Sequence, residues 1–168
     1  KDKLYELSSK IVDFLIKKRV DVIVIACGTV SSNNYLDLKK KVLEEKADFG
    51  LGIDGDGDRA GIIDENGNMI YMDFYGIIIW RDIINKVSNK KGLFDVKCSK
   101  SLADEITKLG GEPVCYRTGN SYFKAKMRDG KFPFGCELSG HVYFNDKWPG
   151  IDDGLYAGLR LIEIMSNS

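Results

Sequence analysis

Three observations predict an α/β fold. Strand-like and helix-like segments alternate along the chain. Val20 to Ala26 is a β-branched run of the kind found in strands buried on both faces. Small polar loops gather where the apolar strands end, the usual edge for a site in such folds. The expected architecture is mixed or mostly parallel sheets with helices on both faces. It divides into two small α/β units, residues 1–72 and 73–168.

The elements follow in order. Leu4, Leu7, Ile11, Phe14 and Leu15 fall on one face, so the spacing predicts a helix over 2–18. The strand Val20–Ala26 leads into a small polar loop from Cys27 to Ser32. Tyr35 to Lys46 reads as a lysine-rich helix with Leu36, Val42 and Leu43 inward. Phe49 to Ile53 and Ala60 to Ile63 read as strands. Asn66-Gly67 between apolar runs signals a hairpin turn. Residues 74–88 form a helix that is apolar on most sides. Then strand, loop and helix repeat. Leu93–Val96 is a strand with Lys97-Cys98 at its end. Ser99 or Ser101 caps the next helix, Ser101 with Asp104 resembling a capping box. Glu112–Tyr116 is a strand, followed by the loop Arg117 to Asn120 and a helix to about Arg128. Phe132–Cys136 and His141–Phe144 are strands. Asp152-Asp153-Gly154 opens a last helix.

Composition narrows the function. Lys plus Arg and Asp plus Glu number 25 each, so charge points to neither nucleic acid nor membrane. No apolar run reaches membrane-spanning length, and no leader pattern is evident. The four cysteines lack CxxC spacing and adjoin strands, so buried thiols in a cytoplasmic protein are expected.

The densest chemistry lies in Asp54-Gly55-Asp56-Gly57-Asp58-Arg59. Three carboxylates on one tight turn repel unless a cation neutralises them. Hard oxygen ligands suit Mg²⁺, with Mn²⁺ or Ca²⁺ as alternatives. The EF-hand pattern fails here, because Arg59 stands where its sixth position needs Gly. The dinucleotide pattern Gly55-x-Gly57-x-x-Ala60 fails too, because the aspartates would repel a pyrophosphate. A plain acidic surface turn is the bland reading. A second constellation is Glu137-x-Ser139-x-His141. If extended, it points three polar groups the same way, on a loop expected to be exposed.

Several stretches together resemble the α-D-phosphohexomutases, the phosphomannomutase/phosphoglucomutase family. They are Ala47 to Gly61, Asp95 to Cys98, Thr118-Gly119, Gly135 to His141, and Gly150 to Gly154. The resemblance covers roughly Tyr35 to Ser168, part of that family's second domain and its third. It implies phosphoryl transfer between C1 and C6 of glucose or mannose phosphates. It implies Mg²⁺ on Asp54, Asp56 and Asp58, and hexose 1,6-bisphosphate as activator of a complete enzyme. Glu137 and Ser139 match the loop that reads sugar hydroxyls. Arg59, Lys97 and His141 match positions near the transferring groups. Asn120 stands where bacterial members often carry His, which leaves it a hydrogen-bonding role. The family's phosphoserine loop and fourth-domain phosphate loop have no counterpart, so missing domains are implied as partners. The alternative is a non-catalytic metal or sugar-phosphate binding module.

Residues 1–34 are similar instead to part of a glutamate racemase. Cys27 would be its thiolate, and Thr29 would hold a carboxylate. The second cysteine loop has no counterpart, and one base cannot serve both faces of a substrate. A racemase-like remnant is therefore the third reading.

Overall fold

The structure, a computed structural model, describes residues 24–26 and 31–167, with side chains from Tyr35 onward. The expected helix over 2–18, the start of the first strand and the Cys27 loop lie outside the described residues.

Two mixed sheets form the frame. The first takes the order β1 (Val24–Ala26), β2 (Phe49–Ile53), β3 (Ala60–Asp64), β4 (Met69–Ile70). β1 runs parallel to β2, and the rest is antiparallel. The second takes the order β6 (Glu112–Tyr116), β5 (Lys91–Asp95), β7 (Phe134–Cys136), β8 (Val142–Phe144). Here β6, β5 and β7 are parallel and β8 is antiparallel. Five helices complete the described chain: α1 (Ser31–Glu45), α2 (Met72–Ile83), α3 (Lys100–Lys108), α4 (Asn120–Gly130) and α5 (Gly154–Ser166). The α/β class expected from the sequence is the class observed.

Strand alternation sorts the core of the second sheet. Phe94, Phe134, Cys136, Val142 and Phe144 face α2 and α3, among Tyr75, Ile79, Trp80, Leu102 and Ile106. Leu93 and Tyr143 face the other way, onto Phe123 and Met127 of α4. The larger cluster also takes in Leu51, Ile53 and Ile62 of the first sheet, and Ala157 and Leu161 of α5. One apolar core therefore runs through both sheets. α5 closes on the first sheet at Gly158, where a Cβ would meet Leu51 Cδ2 at 2.2 Å. It is tied to α2 where Tyr75 Oη donates to the carbonyl of Ala157 at 2.8 Å.

The hairpin forms where Asn66-Gly67 predicts it. Gly67 sits at φ 78°, a conformation that favours glycine. Asp64 Oδ1 accepts from the backbone N–H groups of Asn66 and Asn68 at 3.0 and 2.7 Å.

Several local expectations need correction. On α1 the inward pair is Leu38 and Val42, four residues apart, packed on Gly50. Leu36 and Leu43 face outward, at 66% and 47% exposure. Helix α2 ends at Ile83, five residues early. Ser99 occupies the N-cap position of α3 without a side-chain bond, so the Ser101 capping box does not form. The buried Asp73 does that work, its Oδ2 accepting from Ser99 N–H at 3.0 Å. Cys115 is exposed on edge strand β6 rather than buried, while Cys136 is fully buried. No described helix is long and apolar enough to cross a membrane.

Candidate functional site

The acidic loop joins β2 to β3 across a tight turn. Gly57, at φ 81°, donates to the carbonyl of Asp54 at 3.2 Å. Asp54 Oδ1 accepts from Arg59 N–H at 3.1 Å. Carboxylate oxygens of Asp54, Asp56 and Asp58 lie within 4.8 Å of one another. Burial pushes the Asp58 carboxyl above its ordinary range. A protonated His141 would oppose that shift, and Asp54, Asp56 and Asp152 add to it. Asp58 Oδ1 is buried with no hydrogen-bond partner among the described residues, and Arg59 Nε is 3.9 Å from it. An orphaned buried oxygen beside two further carboxylates fits a hard divalent cation.

The second constellation differs from its expected form. Residues 137–140 turn rather than extend: Gly140 N–H donates to the Glu137 carbonyl at 3.1 Å, and Glu137 N–H to that of His141 at 2.9 Å. Glu137 and His141 thus sit opposite each other in the β7–β8 hairpin, with exposed Ser139 near its tip. Gly140, at φ 108°, makes the turn. Glu137 is 1% exposed, not on an exposed loop. Its Oε1 accepts from Gly119 N–H at 2.7 Å, and its Oε2 from Tyr143 Oη at 2.8 Å. Burial and the Glu137 carboxylate together hold the Tyr143 hydroxyl well above its ordinary pKa, so it stays a donor.

The hairpin and the acidic loop are stitched together. Ala60 N–H donates to the Gly140 carbonyl at 3.0 Å, and Arg59 and His141 form a β-bridge. Arg59 Nε donates to His141 Nε2 at 3.2 Å. The start of α5 docks on the same loop, Gly154 N–H donating to the Gly57 carbonyl at 2.9 Å. His141 is 5% exposed, and its Nδ1 lies 2.9 Å from Asp152 Oδ2 and 3.6 Å from Asp58 Oδ2.

Asn120 opens α4 at the same sheet edge. Its Nδ2 donates to Asp152 Oδ2 at 2.7 Å and to Asp58 Oδ2 at 3.4 Å. Its Oδ1 lies 3.4 Å from Tyr143 Oη, whose single proton goes to Glu137. Lys97 is exposed on the turn after β5. That turn is anchored by the buried Asp95, whose Oδ1 accepts from Leu138 N–H at 3.2 Å and Oδ2 from Thr118 Oγ1 at 2.8 Å. Asp54, Asp56, Asp58, Arg59, His141, Asn120, Glu137 and Ser139 thus form one neighbourhood, with Lys97 tied to it through Asp95.

Sequence reasoning missed Asp95, Lys124, Tyr143 and Asp152. Lys124 Nζ lies 2.6 Å from Asp152 Oδ1. The available signals were Asp95 and Asp152, acids in stretches already singled out, Asp152 directly before a helix cap. Nothing in its spacing linked it to His141, eleven positions upstream across a strand.

Residues 72–168 match the family described as phosphoglucomutase/phosphomannomutase, alpha/beta/alpha domain III. The chain is 42% identical over 133 residues to a phosphomannomutase/phosphoglucomutase of Pseudomonas aeruginosa, covering 79% of this chain and 29% of that protein. It is 42% identical over 135 residues to a phosphoglucomutase of Neisseria gonorrhoeae, covering 80% of this chain and 29% of the relative. A crystal structure of a phosphoglucomutase/phosphomannomutase family protein from Burkholderia thailandensis superposes with TM-score 0.78 at 39% identity, covering 81% of this chain and 30% of that one. The phosphoglucomutase parafusin of Paramecium shares the fold, with TM-score 0.65 at 19% identity over 81% of this chain and 25% of that one. The chain thus spans under a third of the length of these relatives. The comparisons give the racemase resemblance of residues 1–34 no support.

Proposed function

The chain belongs to the phosphoglucomutase/phosphomannomutase family, and from that premise we propose that it supplies the metal-binding and sugar-recognition loops for phosphoryl transfer between C1 and C6 of glucose and mannose phosphates. The observation that carries this reading is the stitching of the acidic loop to the Glu137–His141 hairpin. It brings the acidic turn and the Glu137–His141 hairpin together, which supports the reading. Phosphoryl transfer is mostly positioning and charge neutralisation, so such a juxtaposition is what it requires.

Asp54, Asp56 and Asp58 would hold Mg²⁺, which when bound offsets charge on a phosphoryl oxygen. Mn²⁺ would serve in the same place. The remaining roles fall to this chain's own groups. The guanidinium of Arg59, whose side chain is 53% exposed, orients an anionic substrate. Lys97 supplies a second cation from the neighbouring loop. Ser139 offers a hydroxyl at the hairpin tip. Glu137, buried, orders that hairpin through Gly119 and Tyr143. Asn120 ties the acidic loop to Asp152. The phosphoserine and phosphate-binding loop would come from other parts of a longer protein. Hexose 1,6-bisphosphate would be the activator of that whole enzyme.

Titration of ¹⁵N-labelled protein with glucose 1-phosphate and mannose 1-phosphate, each with and without Mg²⁺, tests the reading. Shifts are expected in 54–59, 118–120 and 137–141. Both sugars should act alike, because they differ only at C2. No response at millimolar ligand, or shifts confined elsewhere, would sink it.

A further inference from the structure

Asp152 is a buried carboxylate of the site with partners on both oxygens, and nothing above gives it a task. Its side chain is 3% exposed. Lys124 Nζ lies 2.6 Å from one oxygen, and Asn120 Nδ2 donates to the other at 2.7 Å. Its backbone is fixed on one side by a bridge to Tyr143, and on the other by Asp153, which caps α5 with its side chain. A carboxylate held this firmly can impose geometry on a neighbour.

That neighbour is His141. Arg59 Nε donates to His141 Nε2 at 3.2 Å. A guanidinium is always a donor, so Nε2 must present a lone pair. The ring proton then belongs on Nδ1. Nδ1 is buried and has no well-aligned hydrogen bond among the described residues, but Asp152 Oδ2 is 2.9 Å away. Asp58 Oδ2 is the next acceptor, at 3.6 Å. A doubly protonated ring would set two donors against each other at Nε2.

We propose that Asp152 is a positioning residue: it holds the His141 proton on Nδ1, so that the Nε2 lone pair anchors Arg59 beside the acidic loop. The ring's far nitrogen transmits the setting, as when a second partner fixes a histidine tautomer. Arg59 is then restrained by His141 Nε2, with Asp54 Oδ2 at 3.5 Å and Asp58 Oδ1 at 3.9 Å. The guanidinium stays at the site instead of swinging into solvent. The role in phosphoryl transfer rests on the proposed function; the tautomer itself does not.

The test is direct because His141 is the chain's single histidine. Long-range ¹H–¹⁵N spectra of the ligand-free protein report which imidazole nitrogen carries the proton. Wild type should show Nδ1 protonated and Nε2 bare. Asp152→Ala should shift the proton toward Nε2 and speed exchange of the Arg59 Nε–H. Asp58→Asn should leave the pattern unchanged, which separates the two acceptors. A wild-type proton on Nε2, an unchanged pattern in a folded Asp152→Ala, or loss of the pattern in Asp58→Asn each overturns the proposal. If Asp152→Ala does not fold, the wild-type and Asp58→Asn spectra still decide. Failure of hexose phosphates to bind would overturn the functional reading and leave this one standing.

Discussion

The backbone N–H of Ala60 donates to the carbonyl of Gly140 at 3.0 Å, so the first residue of β3 is hydrogen-bonded to the turn between β7 and β8. Two loops about eighty positions apart thereby share one backbone register. A disturbance at either should be felt at the other.

Gly154→Ala tests that coupling from a third side. A Cβ there would meet the Arg59 carbonyl oxygen at 2.4 Å, and backbone cannot step aside as a side chain can. Overpacking of this kind costs about 1–3 kcal/mol. Denaturant unfolding should show the loss, and calorimetry should show weaker Mg²⁺ binding. Gly61→Ala is the control, because nothing lies within 4 Å of its added methyl. Its stability should stay within about 0.5 kcal/mol of wild type.

Asp58→Asn should separate stability from metal binding. Asp58 has a raised folded-state pKa, caused first by burial. A carboxyl raised on folding is favourable while protonated. That benefit is lost as pH rises from the ordinary Asp range through the raised value. Without metal, the asparagine variant should therefore melt higher than wild type near neutral pH, and the gap should close in acid. With millimolar Mg²⁺ the order should reverse. Melting curves across pH, with and without Mg²⁺, measure both effects.

Glu137→Ala should destabilise the fold as well as the site. It strands the buried Tyr143 hydroxyl and the half-buried Gly119 N–H. Each unpaired buried donor costs about 1–3 kcal/mol. Adding Tyr143→Phe removes one of the stranded groups, so the double variant should lose less than the sum of the single ones. Urea unfolding of the four proteins closes the cycle. Strict additivity would argue against the contact.

The chain by itself should not turn over glucose 1-phosphate or mannose 1-phosphate. Phosphoryl transfer needs an in-line nucleophile, and positioning supplies at best about 7–11 kcal/mol of the barrier. No serine among the described site residues combines exposure with a position on the acidic loop; Ser139 lies on the hairpin. A coupled assay with catalytic hexose 1,6-bisphosphate checks this. Turnover that needs Mg²⁺ and vanishes in Asp56→Asn would refute it.

Much of this was legible in the sequence where one residue type forces one geometry. Asn66-Gly67 named its turn, and the three aspartates marked the loop whose carboxylates cluster. Legibility failed where partners are distant in sequence. An alternating Glu-x-Ser-x-His pattern reads as extended, yet the Gly140 carbonyl is claimed by Ala60, and the segment turns to deliver it. On α1 three leucines looked equally apolar, but only Leu38, together with Val42, meets the side-chain-free surface of Gly50. Asp152 was readable as an acid near a helix start. Its partners Lys124, Asn120 and His141 are gathered by tertiary structure alone.

The apolar core shared by the two sheets has a mechanical consequence. Leu51 lies against Gly158, and Ile62, Tyr75 and Phe134 share one cluster. A hinge between the two sheets would have to open that close-packed interior. Any rigid motion of this region must therefore carry the acidic turn and the hairpin together. Their mutual alignment is set when the chain folds, not when a substrate arrives.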